Sequence, residues 1–162
     1  MRTFMVVVLL VLLSACGKES AAPPAPAAVT PDAVAYYCQM ALAEHPGPKG
    51  QIWLAGRDKP LWFAQVRDAV AFTLLPEEPK DIRAIWVTDM AHPDQWVAAE
   101  KAFYVIGSDA KGGMGLPETV PFSDRAAADA FTHEHGGRIV TFKEIPRDQV
   151  LDNPMLQQRQ GG

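Results

Sequence analysis

Apolar positions along this chain fall into two stretches that repeat one another. Leu61-Trp62-Phe63 leads into Gln65 to Phe72, and Val120-Pro121-Phe122 leads into Asp124 to Phe131. Phe63 and Phe72 recur as Phe122 and Phe131, and Ala69 and Ala71 recur as Ala128 and Ala130, each at an offset of 59 residues. A fixed offset shared by several residues marks an internal repeat. Each copy reads as an apolar strand, a short turn and a helix whose Ala and Phe residues return at helical spacing. Ser123 or Asp124 is the expected N-cap of the second helix, and Gly136-Gly137 its C-terminal stop. Runs rich in β-branched and aromatic residues bracket both copies: 51–55 and 82–88 around the first, 102–106 and 138–142 around the second. The pattern predicts two tandem ββαβ units, at about 50–90 and 100–145, of the α+β class. Neither unit buries enough apolar surface alone, so the two are expected to pack together, with a cleft at their junction as the natural binding place.

The ends of the chain have a different character. Arg2 precedes an apolar run from Phe4 to Leu13, and Leu13-Ser14-Ala15-Cys16 closes it. The run is short of the roughly 20 residues that a membrane-spanning helix needs, so 1–15 reads as an export signal. The Leu-Ser-Ala-Cys ending resembles a bacterial lipoprotein signal, which implies cleavage before Cys16, acylation of its sulfur, and a place on the periplasmic side of the envelope. Gly17 follows with no aspartate, which favours the outer membrane. Residues 16–35, rich in Ala and Pro, read as a semi-rigid tether. Residues 36–152 form the folded domain, and 153–162, which includes Met155, a polar tail.

A formal net charge of −4 at pH 7, with no basic stripe on either helix, argues against nucleic acid as a partner. Acylation of Cys16 leaves Cys38 as the free thiol, so no intramolecular disulfide can form. Cys38 stands two residues before Met40, and in an extended segment such residues point to the same side. A thiolate beside a thioether is a soft donor pair suited to Cu(I). Met114, flanked by glycines in Gly112-Gly113-Met114-Gly115, is a third candidate ligand on a mobile loop. His45 and Met90 are weaker ones, His45 being expected to be solvated and Met90 to pack at a strand end. His133 and His135, at the end of a helix, complement its dipole, and Lys49 reads as a solvated charge or a partner contact.

Taken together, Tyr37-Cys38-Gln39-Met40, His45-Pro46-Gly47-Pro48-Lys49-Gly50, Val87-Thr88-Asp89-Met90, Gly112-Gly113-Met114-Gly115 and His135-Gly136-Gly137 resemble the NosL family, lipoprotein accessory factors of nitrous-oxide reductase. The resemblance spans the domain. It implies a fold related to organomercurial lyase and a Cu(I) cargo. It also implies partners in the machinery that builds the reductase's copper-sulfide centre: a membrane transporter complex with its periplasmic subunit, the reductase itself, or both. Gln39 departs from the family, which usually has glycine there, and should alter local backbone freedom.

Two functions of different class follow. A metallochaperone would hold Cu(I) on Cys38 and Met40 with a third soft ligand. A thiol-dependent lyase or reductase would use Cys38 as nucleophile with His45 as base, but no second free cysteine is present to resolve an intermediate. The expectation is a binding protein, not an enzyme.

Overall fold

The computed structural model describes residues 22–152. The signal sequence, Cys16 and the 153–162 tail lie outside these residues. Strands β1 (Gly50–Leu54) and β2 (Leu61–Phe63), helix α1 (Val66–Leu74) and strand β3 (Ile82–Thr88) make the first unit. Strands β5 (Phe103–Ile106) and β6 (Val120–Phe122), helix α2 (Arg125–His135) and strand β7 (Arg138–Thr141) make the second. Between the units lies a short strand β4 (Trp96–Ala98), and after them a one-turn helix α3 (Arg147–Leu151).

All strand pairs are antiparallel, in two sheets of order β2-β1-β3-β4 and β6-β5-β7. The shared order of β2-β1-β3 and β6-β5-β7 is the repeat seen in three dimensions, and it confirms the α+β class. Its packing repeats as well. Phe63 lies 5.6 Å from Phe72 between ring centroids, and Phe122 lies 5.2 Å from Phe131. Pro121 has no N–H to give a ladder, and β6 tolerates it because it is an edge strand. Gly136, with φ +71°, ends α2 as expected. The N-cap position of α2 is Asp124, but its side chain makes no cap bond.

The units share a core. Val66 and Val70 of α1 and Val87 of β3 cluster with Tyr104, Ile106 and Val140 of the second sheet and Val150 of α3. Burying each such side chain contributes about 1.5–3 kcal/mol, and this part of the burial requires both units. Polar ties reinforce the seam. Arg67, buried in α1, donates through its guanidinium to the carbonyl oxygens of Pro117, Val150 and Asp152. Asp89, buried at the end of β3, accepts from the hydroxyl and the backbone N–H of Ser123. Burial opposes its ionisation, but those bonds and the Ala91 N–H outweigh it and hold the Asp89 carboxyl below the usual range.

The Ala/Pro-rich stretch is not all spacer. The fully buried amide of Gln51 on β1 accepts from Ala27 N–H (2.8 Å) and donates to Ala27 O (3.1 Å), and Trp86 Nε1 donates to Pro24 O. Its last part is thereby strapped across the first sheet. Composition foretold no such docking because backbone atoms carry it.

Candidate metal centre

The chain enters the first unit through a tight loop. Val34 and Ala41 form an antiparallel bridge, closed by Ala35 N–H to Met40 O (2.9 Å) and Leu42 N–H to Ala33 O (2.8 Å). Tyr36 anchors it. Its ring packs on Phe63 and Phe72, its N–H donates to Trp62 O, and its hydroxyl shares the Glu78 carboxylate with that of Tyr37. Cys38 and Met40 therefore sit on a turn, which corrects the extended segment expected from their spacing. The cause is Gln39, whose φ of +57° places it in the left-handed region between the two sulfur residues.

Cys38 is partly buried against Ala33, Ala35 and Leu42, whereas Met40 is 40 % exposed. The Cys38 Sγ lies 3.8 Å from His45 Nε2. His45 is buried, not solvated as a turn histidine was expected to be. A 3-10 turn at Leu42–Glu44 delivers it, and Lys49 fixes the next turn by donating through Nζ to His45 O and Gly47 O, both at 2.6 Å. Lys49 is thus a half-buried brace, not a solvated charge. Burial pulls its pKa down, and the Glu118 carboxylate opposes that shift.

The other edge of the same imidazole meets the second unit. A Cβ placed on Gly113 would lie 2.7 Å from His45 Nδ1, so the bare backbone of the β5–β6 loop rests on the ring. This loop is a small hairpin, with Lys111 bridged to Pro117 and Gly115 at φ +75°. At its tip Met114 is 44 % exposed, and its N–H donates to Gln65 Oε1 (3.3 Å). One thiol, one imidazole and two exposed methionine-bearing loops thus meet where the units join.

Gln65 and Glu118 stand behind the β5–β6 loop, and sequence reasoning missed both. Gln65 occupies the N-cap position of α1 without making a side-chain cap bond. Glu118, fully buried, caps the helix from the other unit: its Oε1 accepts the N–H groups of Arg67 (2.9 Å) and Thr119 (2.8 Å). Burial, which its backbone hydrogen bonds only partly offset, pushes the Glu118 carboxyl up to about 7. No spacing motif announces a capping carboxylate 51 residues away from its helix.

The remaining candidates lie elsewhere. Met90 follows β3 and is 37 % exposed, with its N–H donating to Pro121 O across the seam. His135 stacks on Phe131 and approaches Asp109 at 3.0 Å, and His133 is exposed on the same helix. Among the described residues no group of three or more His, Cys, Asp and Glu converges on one point. What the α+β scaffold brings together is the Cys38 thiol and the His45 imidazole, with Met40 and Met114 exposed on the loops beside them.

Comparison with known proteins gives the family. The NosL family model matches residues 26–150. The chain is 47 % identical over 160 residues to the copper-binding lipoprotein NosL of Achromobacter cycloclastes, covering 93 % of this chain and 83 % of that one. It is 30 % identical over 170 residues to the protein of the same description from Stutzerimonas stutzeri, covering 99 % and 86 %. The crystal structure of the copper chaperone NosL from Shewanella denitrificans superposes with a TM-score of 0.72 at 31 % identity, covering 78 % of this chain and all of that one. The chain belongs to the NosL family.

Proposed function

We propose that this protein is a Cu(I) chaperone that delivers copper for assembly of the copper-sulfide centre of nitrous-oxide reductase. In this reading it is anchored through lipid on Cys16 to the periplasmic side of the bacterial envelope. The observation that carries the cargo is the Cys38–His45 approach at 3.8 Å beside the exposed thioether residues Met40 and Met114. Thiolate, thioether and imidazole donors favour a soft monovalent ion over hard oxygen-seeking cations. Cys38 supplies the anionic ligand, Met40 and Met114 the neutral ones, and His45 a nitrogen that also orients the thiol. Exposure of both thioethers suits handover, because an incoming partner ligand can replace them one at a time while Cys38 still holds the ion. The names of the relatives support copper binding and lipid attachment.

Anaerobic Cu(I) titration of the purified protein against a chromogenic Cu(I) chelator tests the cargo. Cys38→Ala should lose high-affinity binding and Met40→Ala should lose part of it; equal binding by wild type and Cys38→Ala overturns the site. A deletion strain grown at limiting copper tests delivery: it should export a nitrous-oxide reductase poor in its copper-sulfide centre and accumulate nitrous oxide. Full cluster content there overturns the role.

The same Cys38–His45 pair favours a second reading, a thiol-dependent lyase or reductase with His45 as base. That reading predicts turnover of a thiol-reactive substrate that falls with His45→Ala and is indifferent to Met114→Ala.

A further inference from the structure

The β5–β6 loop that carries Met114 rests on a polar floor that a surface loop does not need. Glu118 is fully buried, and while its Oε1 caps α1, its Oε2 has no hydrogen-bond partner among the described residues. An unpaired buried polar atom costs about 1–3 kcal/mol, so its retention asks for a reason. The location supplies one. A Cβ placed on Gly112 would lie 2.9 Å from Glu118 Oε2 and 2.1 Å from Gln65 Oε1, so both oxygens close on one spot that only a bare backbone can fill. Gln65, itself buried, is held by its Nε2 bond to Asp68 Oδ2 (3.1 Å) and receives the N–H of Met114. The hairpin is closed above by Gly112 N–H to Leu116 O and Gly115 N–H to Gly112 O. On its other flank Gly113 meets the ring of His45.

We propose that Gln65 and Glu118 are positioning residues for the copper site, holding Gly112 to Met114 against His45 so that the Met114 thioether reaches the ion held by Cys38. The inference rests on Met114 being a copper ligand, as proposed above. The groups that act on Glu118 are Asp68 and the backbone of Arg67 from α1, and Lys49 from the turn before β1. Burial and the neighbouring Asp68 both favour its neutral form, which carries an O–H in a place where two acceptor oxygens meet. Glutamine at 118 keeps the shape, the cap acceptor and a donor on that side; alanine keeps none of them.

The test is anaerobic Cu(I) competition with a chromogenic chelator on the full chain, read as a double-mutant cycle. Met114→Ala, Gln65→Ala and Glu118→Ala should each weaken Cu(I) binding by about tenfold, the size of effect that removal of a ligand's supporting partner commonly has. In the Met114→Ala background, Gln65→Ala and Glu118→Ala should add almost nothing, because the ligand they position is gone. Glu118→Gln should recover most of the affinity lost in Glu118→Ala. A purely structural role would weaken binding additively, with or without Met114, and that result overturns the inference. So does wild-type affinity in Gln65→Ala, which leaves the Glu118 cap on α1 intact and decides the question if Glu118→Ala does not fold. Wild-type affinity in Met114→Ala overturns the ligand reading and this inference together; a Met114 dependence with additive positioning variants overturns this inference alone.

Discussion

The side-chain amide of Gln39 donates to the carbonyl oxygen of Tyr36 at 2.6 Å, bracing the one non-glycine residue with positive φ among those described. A second, longer bond reaches Ala35 O at 3.3 Å. A left-handed conformation costs an L-residue about 1–2 kcal/mol, and each of the two bonds returns about 0.5–1.5 kcal/mol. Strain and bracing therefore nearly cancel. Gln39→Gly, which removes both, should change stability by less than about 1 kcal/mol. Gln39→Ala keeps the strain and loses the bonds, so it should cost about 1–2 kcal/mol and disorder the Cys38 turn. Urea unfolding of the two variants checks the ranking; a Gln39→Ala variant as stable as wild type would show that the amide contributes nothing.

Much of the fold was legible because it is written in period and repetition. The Phe63/Phe72 and Phe122/Phe131 pairs sit at helix-to-strand packing positions in both units, and β3 and β5 are rich in β-branched and aromatic residues. Strand β4 and helix α3 were not legible, since three residues and one turn are too short to show a period. At the site, residue types pointed to the sulfurs and to His45, but the burial of His45 is decided by Gly113, far along the chain. The turn at Cys38 was hidden for a similar reason: φ at Gln39 is fixed by tertiary context, and only the absence of the family's glycine hinted that something compensates.

Gln51 predicts how the lead-in strap behaves. Its Oε1 accepts from Trp53 Nε1 (3.1 Å) as well as from Ala27, so one buried amide serves three groups. Gln51→Ala should release the strap at a cost of about 1–3 kcal/mol. Gln51→Glu should do so too, because it turns an oxygen toward the carbonyl of Ala27. Amide hydrogen exchange at residues 22–29 should rise in both, while the α1 amides stay protected. If Cys16 is the anchor, the eight residue-to-residue steps from Cys16 to Pro24 limit the reach of the strapped domain to about 28 Å, so release should also move it outward from the bilayer. Unchanged exchange at 22–29 would mean that Trp86 and Pro24 hold the strap without the clamp.

Glu118 predicts an unusual pH dependence. Its folded carboxyl titrates at about 7 against an ordinary value of 4.5. Between these values the folded protein keeps a proton that the unfolded chain has released, so stability falls as pH rises from about 4.5 to about 7 and is level above. The size of the fall is roughly 3 kcal/mol. Asp89 acts in the opposite sense, since its lowered pKa adds stability that is lost only as the solution becomes more acidic than the usual carboxylate range. Subtracting Glu118→Gln from wild type isolates the first effect: the variant should match wild type near pH 5 and exceed it near pH 8. Parallel curves across that interval would show that the carboxyl ionises freely in the folded state.

Two glycines in the Met114 loop separate contact from backbone strain. Gly115 has φ +75° but open space around it, so Gly115→Ala should cost about 1 kcal/mol through conformation alone. Gly113 has no such φ, yet its added Cβ would meet His45 at Nδ1, Cβ and Cγ, at 2.7, 3.0 and 3.1 Å. Those atoms belong to a buried ring braced by Lys49 through the His45 carbonyl, so the loop, not the ring, must give way. Gly113→Ala should therefore lift Met114 away from Cys38, weaken Cu(I) binding by about tenfold, and shift the His45 ring resonances in the copper-free protein. Gly115→Ala should lower the unfolding midpoint and leave those resonances in place. Should Gly113→Ala leave both the ring resonances and the Cu(I) affinity untouched, the contact between the loop and His45 has no part in shaping the site.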